Sequence, residues 1–386
     1  MDASSETASR AGRAPQWLVM LARLLLIFVL LYCFLVAIEL MGGSFKSVGK
    51  ESANSLVAGL SNPFAGLAAG VLATVIVQSS SVTTSTIVAL VGQGALPLSV
   101  AVPMVMGANI GTTITNTIVS LGHVTRKSEF RMAFAGATVH DFFNLLTVLI
   151  LFPVELATGV LERIAMWLSD MIPAGVGGSF NSPVKTAVKF LSHRIESGLE
   201  GLGLEGGWLA LASLLLALVM IVFTLLWITK NMKQLMANRI EEWLNAVLDR
   251  SGLLGLVIGI LITVSVQSSS ITTSLLVPMF GAGLLRVEAG FPIMLGANIG
   301  TTVTALLAAS VSGRAGMTIA LVHLMFNLFG TLIFFPIKPM RKIPIALSYY
   351  LADLAVTNRL WVAAYIGVMF VALPGLGVWL FRVIGQ

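Results

Sequence analysis

A 50-residue pattern occurs twice in the chain, and this duplication constrains the fold more than any other feature of the sequence. Residues 66–115 align with residues 255–304 without a gap, at a constant offset of 189, and 27 of the 50 aligned pairs are identical. Two polar blocks recur, Gln-Ser-Ser-Ser at 78–81 and 267–270 and Gly-Ala-Asn-Ile-Gly-Thr-Thr at 107–113 and 296–302. Self-similarity at a fixed offset indicates two copies of one structural unit.

Outside these blocks, both copies are largely apolar, and Arg286 and Glu288 are the only charged residues in either copy. Hydrophobic residues make up 57% of the chain and charged residues 10%, whereas a soluble domain carries about 25% charged residues. The composition therefore indicates an integral membrane protein and excludes a soluble one. The net charge of +6 comes from basic residues scattered over the loops, so we expect no nucleic acid partner.

Seven apolar runs are long enough to cross a bilayer as helices, because about 20 residues span its hydrocarbon core. They are Trp17–Leu40, Leu98–Leu121, Phe130–Phe152, Trp208–Ile228, Gly290–Val311, Met317–Phe335 and Leu360–Phe381. Two shorter runs, Phe64–Val77 and Leu253–Val266, stop at a polar cluster after 14 residues and resume beyond it. This pattern predicts an all-α protein with two re-entrant helical hairpins, at residues 64–96 and 253–285.

Basic residues set the expected orientation. Four basic clusters precede the first span or follow the second, fourth and sixth, so the positive-inside rule makes that side cytoplasmic, together with the tail of residues 1–16. Residues 153–207 are then an extracytoplasmic interfacial linker. Residues 341–386 are predicted to form an interfacial helix and the final transmembrane helix.

The number of spans predicts how the two copies are related. Three spans lie between the hairpins, and an odd number inverts the second copy, so residues 17–152 and 208–340 are predicted to be inverted repeats. Each repeat is expected to contain its hairpin and a broken transmembrane helix, at residues 98–121 and 290–311. Inverted repeats with helices interrupted at corresponding places indicate a secondary transporter whose site lies at the repeat interface.

The polar blocks have the chemistry of a ligand site. Hydroxyl and amide groups without partners are costly in lipid, so their repetition favours a function. A helix that begins at Ser80 or Ser81 offers free backbone N–H groups and the positive end of its dipole, which suit an anion. The glycines of the second block let a helix unwind, which frees carbonyl groups for Na+ and offers Asn and Thr side chains to either ligand.

A single carboxylate lies in the middle of a predicted span. Asp141 follows His140 within Phe130–Phe152, and the second copy has His323 and Leu324 at the matching positions. An ionisable residue at that depth indicates a functional site, and we assign Asp141 to a cation site; the alternative is a satisfied structural pair with His140 or with a hydroxyl group. Neither hairpin tip nor second block contains Lys or Arg, so a bound anion would depend on co-bound cations, which predicts coupling to Na+.

These blocks, with the stretch Phe134–Asn144, resemble the type II sodium/phosphate cotransporter family in a short form of bacterial type. The resemblance covers residues 17–381 and implies symport of inorganic phosphate with Na+ by alternating access. It also implies an elevator-type transporter, in which the hairpins belong to a mobile transport domain and the interfacial helices to a scaffold. We expect a multi-pass protein of the cell inner (plasma) membrane, with no cofactor besides co-transported Na+; a homodimer stays open.

The resemblance implies that the four blocks form the sites. Phosphate binding is assigned to Ser79, Ser80, Ser81, Ser268, Ser269, Ser270, Asn109 and Asn298. Na+ binding is assigned to Gln78, Gln267, Thr112, Thr113, Thr301, Thr302, Thr304, Asp141 and Asn144. In that family an acidic residue near Asp141 accompanies binding of an additional Na+, which implies an electrogenic transporter.

Three other functions are alternatives to phosphate symport. A Na+-coupled carrier of another oxyanion or a small carboxylate fits the same residue chemistry. An intramembrane serine hydrolase would pair one of Ser79–Ser81 with His140, but it needs one serine and no second copy. A structural subunit without transport leaves the polar tips unexplained. We therefore expect a transporter and no enzymatic activity.

Overall fold

The structure is a computed structural model that describes residues 15–47, 62–172, 183–247 and 252–384. Within these ranges the chain is helical and has no strand. The helices are α1 (Gln16–Ser47), α2 (Pro63–Val77), α3 (Ser80–Gly92), α4 (Leu98–Gly111), α5 (Ile114–Ser120), α6 (Lys127–Thr158), α7 (Val160–Met171), α8 (Pro183–Gly201), α9 (Gly206–Val247), α10 (Gly252–Val266), α11 (Ser269–Gly281), α12 (Val287–Ala309), α13 (Gly313–Phe334), α14 (Lys338–Thr357), α15 (Leu360–Gly367) and α16 (Leu373–Ile384). A π-helical turn, Val368–Ala372, joins the last two. The predicted N-terminal tail lies outside the described residues except for Pro15 and Gln16.

Seven stretches in the described part of the chain are long and apolar enough to cross a membrane. They are Trp17–Met41, Leu98–His123, Lys127–Thr158, Gly206–Met232, Val287–Ala309, Gly313–Phe334 and Leu360–Gly377. Each overlaps one of the seven predicted spans. The prediction of an all-α, multi-pass membrane protein is therefore confirmed.

Each copy contains two short helices that meet at a glutamine. α2 and α3 meet at Gln78, and α10 and α11 meet at Gln267. Both glutamines have a left-handed backbone, with φ of 54° and 58°, which is uncommon for residues other than glycine. Their N–H groups donate to the Thr74 and Thr263 carbonyls at 2.7 Å and so close the preceding helices. The interruption predicted at the Gln-Ser-Ser-Ser block is present in both copies.

The first short helix of each pair packs along the long helix of its own copy, α2 on α4 and α10 on α12. Glycine permits this close approach. A Cβ atom at Gly70 would lie 2.0 Å from the Met104 carbonyl oxygen, and one at Gly259 would lie 2.0 Å from the Ile293 carbonyl oxygen. Larger residues would therefore force these backbones apart.

The second short helix of each pair packs against the other copy. α3 contacts α12 and α13, whereas α11 contacts α5 and α6. A Cβ atom at Gly92 would lie 2.1 Å from the Ser312 carbonyl oxygen, and one at Gly281 would lie 3.1 Å from the His123 ring. Gly281 lies 189 positions after Gly92, and Ser312 lies 189 positions after His123. The glycine of each copy therefore packs against the equivalent position of the other copy.

The copies differ at the second polar block. In the first copy the helix ends at Gly111 and resumes at Ile114, whereas α12 runs without interruption through the equivalent block. The break predicted at residues 290–311 is therefore absent, and this part of the prediction does not match the structure. The residues at the interruption, Thr112 and Thr113, are the same as Thr301 and Thr302 in the second copy, so the block alone does not determine whether the helix is interrupted.

The predicted linker, residues 153–207, contains helices. α6 continues through Pro153 to Thr158, and α7 buries one face only, through Leu161, Ala165 and Ser169. This spacing of four residues is that of an amphipathic helix. α7 packs against α13, where the Arg314 guanidinium pairs with Asp170.

The start of α6 is held by α14 and α15. The Arg131 guanidinium donates to both carboxylate oxygens of Asp353, with Nη2 3.0 Å from Oδ2. This donation lowers the pKa of Asp353 below its usual range. The Arg359 guanidinium donates to the Val124 carbonyl at 3.0 Å and lies 4.0 Å from the Phe130 ring centroid.

Candidate functional site

A chain of buried hydrogen bonds, here called the amide chain, joins the second polar blocks of both copies through α6. His140 Nε2 lies 2.7 Å from Asn298 Oδ1, and Asn298 Nδ2 donates to Asn144 Oδ1 at 2.7 Å. Asn144 Nδ2 donates to the Asn109 carbonyl at 2.8 Å. All four residues are at most 4% exposed. Three predicted site residues are thus joined by hydrogen bonds, because Asn144 binds both Asn298 and Asn109.

Asn116 extends the amide chain to the second hairpin, and the sequence analysis missed it. Its Nδ2 lies 3.5 Å from His140 Nδ1, and its Oδ1 accepts hydrogen bonds from Thr273 Oγ1 at 2.9 Å and Ser274 Oγ at 3.1 Å. With donors on Oδ1, the amide N–H faces the imidazole, so Nδ1 accepts and Nε2 carries the proton toward Asn298. An asparagine inside a predicted span was the signal available in the sequence.

The second cluster, here called the Asp141 cluster, consists of Asp141, Thr113, Thr117 and Tyr365. Asp141 Oδ2 accepts hydrogen bonds from Tyr365 Oη at 2.7 Å and Thr117 Oγ1 at 3.2 Å. The Thr113 hydroxyl lies beside the carboxylate, yet Oδ1 is buried without a hydrogen-bond partner among the described residues. Thr117 and Tyr365 were not predicted as site residues.

Asp141 and His140 do not pair with each other in the described structure. His140 binds the two asparagines Asn298 and Asn116, whereas Asp141 binds Tyr365 and Thr117. Adjacent residues of a helix point about 100° apart, so each reaches a different set of neighbours. Of the two structural alternatives for Asp141, the pair with His140 is therefore absent, whereas hydrogen bonds to hydroxyl groups are present.

The hairpin tips differ in how well their polar groups are bonded. In the second copy, Gln267 Oε1 accepts from Thr304 Oγ1 at 3.0 Å, and Thr263 Oγ1 donates to Thr272 Oγ1 at 2.8 Å. In the first copy Gln78 is exposed. Three buried hydroxyl groups of the first copy have no partner in the described structure. They belong to Thr115, Thr74 and Ser85, which are the counterparts of Thr304, Thr263 and Ser274.

The block serines lie at the start of the second short helices. Ser79 and Ser268 are N-caps, and each side-chain oxygen accepts from the backbone N–H three residues later at 3.4 Å. Capping uses a lone pair and leaves the hydroxyl proton free to donate. Ser80, Ser81 and Ser269 are buried, and Ser270 is half-buried.

The block threonines donate to their own helices. Thr112 and Thr301 donate to the carbonyls four residues earlier at 2.8 and 2.9 Å. Thr113 and Thr302 donate to the carbonyls three residues earlier at 2.9 and 2.7 Å. These bonds use the hydroxyl protons, so the oxygen lone pairs stay available to a cation.

The Asp141 cluster has no counterpart in the second copy. The polar residues Asn116, Thr117 and Asp141 have Ala305, Leu306 and Leu324 as their counterparts. Without an equivalent of Asn116, His323 Nδ1 is buried and has no hydrogen-bond partner in the described part of the chain. A carboxyl group therefore lies beside the second polar block of the first copy, and the second copy has Leu324 at the matching position.

Comparison with known proteins identifies the family. The sequence profile of the family described as Na+/Pi-cotransporter matches residues 33–162 and 220–376, which include both copies of the repeat. The chain belongs to the Na+/Pi-cotransporter family. The resemblance noted in the sequence is thereby confirmed.

Curated relatives from vertebrates match most of the chain. It is 32% identical to the sodium-dependent phosphate transport protein 2B of Pongo abelii, over 92% of this chain and 64% of the relative. It is 33% identical to the sodium-dependent phosphate transport protein 2A of Rattus norvegicus, over 90% of this chain and 66% of the relative. The chain thus spans about two thirds of the length of these relatives. No solved structure matches it.

Proposed function

We propose that this member of the Na+/Pi-cotransporter family is a symporter that imports inorganic phosphate with Na+. The observation that carries the proposal is the amide chain, in which the second polar blocks of both copies meet on α6. The relatives named above are sodium-dependent phosphate transport proteins, and the extension of that activity to this chain is part of the proposal. Neither an enzymatic step nor a cofactor is required.

Phosphate is proposed to bind at the N-termini of α3 and α11. The backbone N–H groups and helix dipoles there favour an anion, and the hydroxyl protons of Ser79 and Ser268 remain free to donate. The neighbouring serines and the side-chain amides of Asn109 and Asn298 complete the proposed set. No Lys or Arg takes part in the hydrogen bonds of either described cluster, so neutral donors and bound Na+ must balance the anion.

Na+ is proposed to bind where oxygen atoms accept no hydrogen bond from the described residues. Asp141 Oδ1 is such an atom, and the hydroxyl oxygen of Thr113 lies beside it. The tip containing Gln267 and Thr304, with the equivalent first-copy tip at Gln78, supplies amide and hydroxyl oxygens of the kind that hard cations prefer. Thr112, Thr301, Thr302 and Asn144 complete the proposed ligand set. An Na+ at Asp141 would neutralise its carboxylate and stabilise the anion nearby.

The two copies are proposed to be inverted repeats with re-entrant hairpins. The exchanged pairs Gly92–Ser312 and Gly281–His123 support a two-fold relation, because two-fold symmetry makes each contact twice. The helices α6 and α13 are equivalent in sequence, and the start of α13 contacts α7, which follows the opposite end of α6. This arrangement supports placing the starts of these two helices on opposite sides of the membrane. An elevator-type movement, a cytoplasmic N-terminus, an inner-membrane location and a homodimer are further parts of the proposal.

Uptake of labelled phosphate tests the proposed function. The purified chain in proteoliposomes is expected to accumulate phosphate when an inward Na+ gradient is imposed, and to lose that uptake when K+ replaces Na+. Empty liposomes provide the control. Gradient-independent uptake, or none, would contradict symport.

Competition distinguishes phosphate from other anions. Excess unlabelled sulfate or a small dicarboxylate is expected to leave uptake unchanged, whereas excess unlabelled phosphate abolishes it. Stronger competition by sulfate than by phosphate would instead favour the rival carrier of another oxyanion.

A further inference from the structure

We infer that Tyr365 is a positioning residue for Asp141, because it holds one carboxylate oxygen so that the other remains free for a cation. The inference rests on the proposed function, since it takes the cation to be co-transported Na+. Tyr365 lies on α15, outside both copies of the repeat, and its Oη donates to Asp141 Oδ2 at 2.7 Å. No sequence pattern relates these two residues, which are 224 positions apart.

The two carboxylate oxygens are in different environments. Oδ2 accepts two hydrogen bonds, from Tyr365 and Thr117. Oδ1 accepts none in the described structure although it is buried. A buried oxygen without a partner is unfavourable, and a bound Na+ would satisfy it. The two donors on Oδ2 therefore fix the carboxylate in the orientation that leaves Oδ1 as the ligand.

Aromatic rings hold the Tyr365 ring in place. Its centroid lies 6.5 Å from Phe134, 6.2 Å from Phe142 and 6.0 Å from Phe370. Phe134 and Phe142 lie on α6, on either side of Asp141 in the sequence, so one helix provides the carboxylate and two of the rings. The hydroxyl is therefore pre-oriented toward the carboxylate, and little side-chain entropy is lost in forming the hydrogen bond.

The π-helical turn contributes the third ring. Val368–Ala372 adopts this wider turn, in which hydrogen bonds join residues five positions apart. Phe370 follows Tyr365 by five positions, and its ring meets the tyrosine edge-on at 90°. π-turns are often found at functional sites. Here the turn aligns a fully buried phenylalanine with the tyrosine that contacts Asp141.

The Tyr365→Phe variant tests the inference, because it keeps the ring and removes the hydroxyl. A hydrogen bond to a charged group corresponds to a factor of about ten or more in an equilibrium constant. In proteoliposomes, we expect the Na+ concentration for half-maximal phosphate uptake to rise about tenfold. The phosphate KM, measured at saturating Na+, should stay within twofold of the wild-type value, which a general loss of structure would not allow.

The Tyr32→Phe variant is the matched control. Tyr32 Oη donates to the Ala187 carbonyl at 2.8 Å, so this variant also loses one hydrogen bond, but to a neutral acceptor outside the Asp141 cluster. Its Na+ dependence should equal that of the wild type. A double-mutant cycle provides the second comparison: when Asp141→Asn is already present, Tyr365→Phe should not shift the Na+ dependence further.

Thermal unfolding in detergent tests the inference in a variant that folds but does not transport phosphate. Na+ should raise the Tm of the wild type, and Tyr365→Phe should need about tenfold more Na+ for the same rise. An unchanged Na+ dependence in Tyr365→Phe, an equal shift in Tyr32→Phe or additive shifts in the double variant would each overturn the inference and leave the proposed function standing. Absence of Na+-driven uptake by the wild type would instead contradict the proposed function itself.

Discussion

At the residue scale, the site depends on polar atoms that the fold leaves without partners. Hydrogen bonds join each member of the amide chain to the next, whereas Asp141 Oδ1 and Thr115 Oγ1 have no partner in the described structure. Such atoms are rare in folded proteins because each buried group without a partner costs about 1–3 kcal/mol. Their position beside the repeated blocks is what a site built for desolvated ions requires.

The Asp141→Asn variant tests the charged part of the site. We expect a lower steepness of the Na+ dependence and fewer charges moved per phosphate, because an amide no longer attracts the ion out of water, while phosphate transport itself survives. The measurement is the ratio of charge to phosphate in proteoliposomes under voltage control. A ratio equal to that of the wild type, in a variant with unchanged Tm, would remove Asp141 from the ion site.

At the element scale, the two hairpins have the same backbone and different bonding. Both turn at a left-handed glutamine and both begin their second helix with a serine N-cap. Only the second tip ties its glutamine to a threonine of the neighbouring long helix, through the bond from Thr304 to Gln267. The first tip, at Gln78, is exposed to its surroundings.

Substitution of the tip glutamines separates transport from stability. Both Gln78→Ala and Gln267→Ala should reduce Na+-driven uptake strongly, because each removes an amide oxygen proposed to bind Na+. Only Gln267→Ala should also lower the free energy of unfolding, by about 1 kcal/mol, because Thr304 loses its acceptor. Uptake assays and thermal unfolding in detergent measure the two effects.

The exposed Gln234 on α9 provides the control for these variants. Gln234→Ala should change neither uptake nor stability. If Gln78→Ala or Gln267→Ala transported phosphate at the wild-type rate, a site built from both tips would be wrong.

The sequence predicted the elements that depend on local patterns. Apolar runs of about 20 residues gave all seven spans, and polar interruptions gave the turns at Gln78 and Gln267. The continuous α12 was not predicted, because the same block of residues interrupts the helix in the first copy and not in the second. Tyr365 was missed for another reason: its contact with Asp141 depends on tertiary packing between α15 and α6, which no periodicity encodes.

At the scale of the whole molecule, the exchanged contacts between the copies are consistent with one pseudo-two-fold axis. In the first copy, Asp353 of α14 holds the start of α6 through Arg131, and Arg359 holds the loop before it, whereas in the second copy α7 holds the start of α13 through Arg314. α6 has 32 residues, and at 1.5 Å per residue it is long enough to cross a bilayer. This arrangement supports the proposal that the starts of α6 and α13 lie on opposite sides of the membrane.

Labelling of single cysteines tests this topology. In a Cys33→Ser background, Ser128→Cys lies in the first turn of α6 and Ser310→Cys in the loop before α13, and both positions are exposed. With an impermeant maleimide, we expect Ser128→Cys to react only from the cytoplasmic side, where the basic residues around it favour retention, and Ser310→Cys only from the opposite side. Leu202→Cys, which replaces a side chain 78% exposed in the predicted extracytoplasmic linker, should react from the same side as Ser310→Cys, and Cys33→Ser alone should not react. Two parallel copies would place these equivalent positions on one side of the membrane. Labelling of Ser128→Cys and Ser310→Cys from the same side would therefore contradict the inverted arrangement. It would also contradict the placement of one hairpin toward each side of the membrane.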